Sequence, residues 1–143
     1  MMDRAAFDAL CQSLPATFMV VQWGEAHVWK VGDQTAKGKN KVFAMSTFWL
    51  GKDGDGADDA KNGQHGIVLK VAPMSFEMLT QEPGITQAPY MAKGQWIRVV
   101  DDNPLSDEDL AAYIRQAHRI MAGGLTKKLQ AELGLTDWVA GNA

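Results

Sequence analysis

The chain has little cysteine: Cys11 stands alone among 143 residues, so no internal disulfide can staple the fold. It has no long hydrophobic run either. Stretches such as residues 18–21 are far too short to cross a bilayer, and no basic segment followed by an apolar run opens the sequence. It lacks an excess of positive charge, the formal net charge being −3, which argues against a strongly basic nucleic-acid binder. These absences point to a reducing cytoplasm and away from membranes and secretion. Cys11 falls in the stripe Ala6, Phe7, Leu10, Cys11, Leu14 and reads as a small core hydrophobe rather than a nucleophile.

What is present is globular. Hydrophobic residues make up 46% and charged residues 22%, ordinary proportions for one folded domain over residues 1–143. Charge is sorted along the chain. Lys30, Lys37, Lys39 and Lys41 lie close to one another with only Asp33 between them, and Arg115, Arg119, Lys127 and Lys128 form a second basic stretch. Acids gather at residues 53–59 and 101–109.

Apolar spacing predicts a first helix over residues 3–14, stopped by Pro15. Strands are expected at 17–23, 27–31, 42–50, 67–71 and 95–100, where β-branched and aromatic residues concentrate between glycine turns. Residues 51–66, with five glycines and many acids, read as a surface loop. Pro73 begins a short helix carrying Phe76 and Leu79. Ser106 caps a main helix whose first turn is acidic, with Leu110, Ile114, Ala117 and Met121 on its buried face. A last helix carries Leu125, Leu129 and Leu133, and residues 135–143 are expected to form a loose tail. The sum is an α+β fold, with an antiparallel sheet of about five strands covered by helices.

Few motifs carry chemistry. Asp53 to Asp58 suggests a calcium loop, but Ala57, Asp58 and Gln64 occupy the fifth, sixth and twelfth places, which need an oxygen donor, glycine and glutamate. His27, His65 and His118 have no ligand partner at zinc spacing, so no metal site is expected. His118, between Arg115 and Arg119, is assigned to the polar side of its helix. No phosphate loop, nucleophile elbow or dinucleotide fingerprint occurs, and no cofactor is implied. Paired carboxylates at 101–102 and 107–109 are explained by a turn and a helix start.

Two features remain. Lys37-Gly38-Lys39-Asn40-Lys41 forms a basic hairpin tip suited to a phosphate backbone, or to guarding a strand edge. Residues 88–98 combine Tyr90 and Trp96 with Lys93 and Arg98 and contain no acid, a mixture of stacking and charge that holds nucleic acid or planar ligands. Strand alternation places Ile97 and Val99 against the helices and Trp96 with Arg98 on the other face, where Trp96 is either exposed or packed under the acidic loop.

Leu14-Pro15-Ala16-Thr17, Gln22-Trp23-Gly24 and Val28-Trp29-Lys30-Val31-Gly32 resemble the MmcQ/YjbR family of small bacterial proteins. Lys41-Val42-Phe43-Ala44, Ala88-Pro89-Tyr90-Met91 and Trp96-Ile97 extend the likeness over most of the chain. The resemblance implies a CyaY-like fold with a double-wing arrangement, described as a predicted DNA-binding motif, and no accepted enzymatic reaction. Relatives often have a tight glycine turn followed directly by lysine, whereas here residues 33–40 are inserted before Lys41.

The first functional expectation is a non-enzymatic module that binds DNA weakly and in a salt-sensitive way through Lys37, Lys39, Lys41, Lys93, Trp96 and Arg98. The alternative is a small-molecule or protein-binding domain centred on Trp23, His27, Trp29, Tyr90 and Trp96.

Overall fold

The computed structural model describes residues 1–49, 63–89, 91 and 93–141. Most of the loop expected over 51–66, and Tyr90, lie outside the described residues. The chain runs α1 (Arg4–Ser13), β1 (Thr17–Gln22), β2 (Ala26–Gly32), β3 (Asn40–Trp49) and β4 (Gln64–Lys70). It continues through α2 (Pro73–Leu79), β5 (Ile85–Gln87), β6 (Trp96–Val99), α3 (Asp107–Ala122), α4 (Lys127–Glu132) and α5 (Thr136–Val139).

The strands form one antiparallel sheet in the order β1-β2-β3-β4-β6-β5. The α+β expectation holds, but the sheet has six strands. The additional one, β5, has three residues, too few to show a period in sequence. After β4 the chain passes through α2 to the outer edge, and β6 returns to fill the gap.

Alternation gives the sheet two apolar faces. One carries Trp29, Val31, Ile67, Leu69, Ile97 and Val99 against Phe7 and Cys11 of α1 and Leu110, Ile114 and Ala117 of α3. A register shift opposite Trp29 and Lys30 lets the consecutive residues Phe43 and Ala44 both reach this core. The other face buries Val28, Met45, Trp49, Val68 and Trp96. Trp96 thus lies on the face expected of it, and of the two alternatives it is the buried one.

The main helix begins as its sequence requires. Ser106 Oγ accepts from the Asp109 amide at 3.0 Å, and three acids fill the first turn. Ser106→Ala should therefore cost about 1 kcal/mol, seen as a fall of roughly 0.5 M in the urea midpoint. An unchanged midpoint would contradict the cap.

Two expectations at the C-terminal end are corrected. Residues 135–141 are not a loose tail: Leu135 is fully buried and α5 follows it. His118 does not face solvent but is buried, edge-on to Phe43 at 5.0 Å and to Trp138 at 5.5 Å. Docking of Trp138 beside α3 widens that helix's buried stripe beyond the one its own apolar residues define.

Candidate functional site

The β2–β3 hairpin carries Lys30, Lys37, Lys39 and Lys41. Residues 33–40 form a turn held by its own polar groups. The Asp33 amide donates to Lys39 O at 2.8 Å, and Asn40 Nδ2 donates to Asp33 O at 2.9 Å. Asp33 Oδ1 accepts from the Thr35 amide and hydroxyl at 2.8 and 2.6 Å, and these bonds hold its carboxyl below the usual range. Residues 33–40 are therefore a defined wing.

Register decides where the wing lysines go. Lys41 pairs with Val31 and shares its helix-side face. Its side chain runs over Gly124, where an added Cβ would lie 3.0 Å from Lys41 Cε. Lys39 and Lys41 from the hairpin and Lys128 from α4 surround one cavity of about 200 Å³, with Glu132 as the acid on its wall. Lys37 and Lys127 are exposed in the same two segments. The sequence held the signal for Lys127 and Lys128 as a basic stretch, but nothing local showed that α4 would dock beside the wing.

The other expected members of this patch are elsewhere. Trp96 pairs with Lys70, and Arg98 with Val68, on the face opposite Lys41. Both are buried. Arg98 lies flat over Gly66, where a Cβ would fall 2.5 Å from its Nε. One Arg98 terminal nitrogen donates to Gln64 O at 3.0 Å, and its guanidinium carbon is 5.3 Å from the Trp49 ring centre. Burial lowers its pKa. Lys93 is exposed in the turn before β6. The wing lysines, Trp96 and Arg98 do not form one patch, because strand alternation sends them to opposite sides of the sheet. Arg115 and Arg119 line a different, open cavity of about 770 Å³, where Arg119 Nε donates to Trp138 O at 2.8 Å.

The aromatic cluster is also divided. Trp23 projects from the β1–β2 turn, and Trp96 lies on the second face. His27 and Trp29 are joined by a residue that sequence reasoning passed over: Asp8 Oδ2 meets His27 Nδ1 at 2.7 Å, and Oδ1 accepts from Trp29 Nε1 at 2.8 Å. One carboxylate thus fixes α1 to β2. The hint was an acid beside the apolar stripe of the first helix. No nucleophile joins this pair among the described residues. Cys11 is fully buried, and burial, then the charge of Asp8, pushes its thiol far above the usual range.

Ser46 Oγ lies 2.8 Å from His65 Nε2 and accepts from Arg4 Nε at 3.0 Å. By distance this is a nucleophile–base pair, but Ser46 is fully enclosed. Burial and then Arg4 lower the His65 pKa, which leaves the imidazole neutral and able to accept from the serine. No group of three or more metal-ligating side chains forms among the described residues, and no helix among them is long and apolar enough to cross a membrane.

An open six-stranded antiparallel sheet with helices packed on one face and a basic hairpin wing defines a small α+β protein. The chain belongs to the YjbR family, whose model matches residues 12–120. It is similar in structure to a Deinococcus radiodurans protein of domain family DUF419, at 24% identity and a TM-score of 0.76, covering 100% of this chain and 96% of that one. A Pseudomonas syringae protein is similar in its crystal structure at 23% identity and a TM-score of 0.64, covering 84% and 99% of the two chains. Its solution structure aligns at 22% identity and a TM-score of 0.56, covering 84% and 93%. No curated protein matches.

Proposed function

We propose that this chain is a binding module for the phosphate backbone of nucleic acid, acting through the wing lysines and α4, without Lys93, Trp96 and Arg98. The observation that carries this reading is the meeting of Lys39 and Lys41 with Lys128 around one small cavity. Three lysines around one space match the negative charge of a phosphate group, so contact is with the backbone and carries no sequence information. Lys37 and Lys127 extend the charge along the same surface. The net charge of −3 confines attraction to this region and keeps affinity modest.

Three phosphate contacts give a slope of roughly −3 in log K against log salt on duplex DNA. Fluorescence anisotropy with a labelled duplex at low salt should show binding in the micromolar range. K39Q/K41Q/K128Q should weaken it at least ~10-fold and flatten the salt slope. Lys93→Gln should leave it unchanged. Absence of binding at tens of micromolar protein, or binding indifferent to the triple substitution, would overturn the assignment.

A further inference from the structure

The two edges of the sheet are built differently. The β5 edge is only three residues long, set between Pro83 and Pro89. Brevity and flanking proline are common protections against further strand pairing. The β1 edge, Thr17–Gln22, has six residues with no proline and no charge. No strand lies beyond it among the described residues. None of the lysines that guard the hairpin tip stands on β1.

This unguarded edge also carries an apolar stripe. Met19, Val21 and Trp23, spaced by two, are 37%, 55% and 62% exposed. Trp23 has φ +51 and Gly24 follows at +89. For a bulky aromatic, the left-handed region is a backbone outlier that costs on the order of 1–3 kcal/mol. The turn thus holds an indole outward against both its conformational and its solvation preference.

We infer that the β1 edge is an interface, and that its occupant is a second copy of this chain paired antiparallel about a two-fold axis. Self-pairing of this kind is isologous, so one strand must complement itself. An axis through Val20, perpendicular to the sheet, keeps each residue on its own face. It sets Met19 opposite the partner's Val21. Both exposed apolar side chains of the strand then gain cross-strand neighbours. Residues 17–24 contain no ionisable side chain, so two copies of an otherwise acidic protein meet there without like-charge repulsion. A charged partner finds no complement on this strip. The joined sheet has six strands from each copy and keeps both sets of helices on one side.

Sedimentation velocity of the full chain from low to high micromolar concentration should show a reversible monomer–dimer equilibrium. Val21→Lys places a charge in the stripe at an exposed position and should weaken association at least ~10-fold while the circular dichroism is unchanged. If that variant loses structure, the β-compatible M19T/V21T takes its place and should also weaken the dimer. Thr86→Lys on the opposite edge should have no effect. A wild-type chain that stays monomeric at the highest concentration, or a dimer that withstands both β1 variants, would overturn the inference.

Discussion

Gly32→Ala is expected to cost the fold about 3–5 kcal/mol and to lower the melting temperature by roughly 10 °C. Gly32 closes β2 at φ +135, and a Cβ there would lie 2.3 Å from Lys39 O and 2.6 Å from Asn40 Cα. Both obstacles are backbone atoms, at the end of the turn and the start of the facing strand, so no side-chain rotation relieves the clash. The Gly32 amide also donates to Ala16 O at 3.0 Å, tying the base of the wing to the chain ahead of β1. The hairpin must spread or its base must detach. Either movement draws Lys39 and Lys41 away from Lys128, so the variant should also lose duplex binding at temperatures where it is still folded.

Gly38→Ala is the control. It has φ +82 but nothing within 4 Å of its Cβ, so only backbone strain applies, about 1 kcal/mol. Thermal melts of the two variants decide the matter. If Gly32→Ala melts no lower than Gly38→Ala, the base of the wing is not pinned as described.

The second large effect is acid destabilisation through His118. Burial, above all, lowers this imidazole from 6.5 to about 4, with Arg119 adding to the fall and the bond to Pro15 opposing it. Nε2–H donates to Pro15 O at 2.8 Å, while Nδ1 has no partner. Protonation would put a new donor at Nδ1 among Phe43, Trp138 and Arg119, with no acceptor to receive it.

Because the folded-state pKa is below the unfolded one, the unfolded chain takes up this proton first. The stabilisation is complete above pH 6.5 and is lost as pH falls toward about 4. The difference corresponds to about 3 kcal/mol. His65, lowered mainly by burial, acts with the same sign. Urea midpoints at pH 7 and pH 4.5 should therefore differ strongly in the parent chain. His118→Gln keeps an amide donor for Pro15 but does not titrate, so the difference should shrink by about half or more. An equal pH dependence in parent and variant would show that His118 is not held neutral by the fold.

Much of the fold was legible in sequence because its signals are local. The α1 stripe, the Ser106 cap with its acidic turn, Pro73 at a helix start and the placement of Ile97 and Val99 against the helices each depend on neighbours a few residues away. β5 was not legible, since three residues between prolines carry no pattern. His118 and the C-terminal segment were misread for a related reason. Their burial depends on Trp138 docking beside α3, a contact between residues twenty positions apart. The site was legible only in part. The wing lysines were visible as a run, but their distance from Trp96 and Arg98 follows from strand alternation accumulated across the sheet. Asp8, which joins His27 to Trp29, offered only a misplaced charge beside an apolar stripe.

By itself, then, the sequence determined the kinds of element, their order, the antiparallel sheet and the family, because helix periodicity, strand alternation, caps and turns act within a few residues. Tertiary structure alone decided which cations meet, which indoles are sealed and which edge is left open. Those outcomes depend on register and docking between distant segments, where a shift of a single residue carries a side chain to the other face.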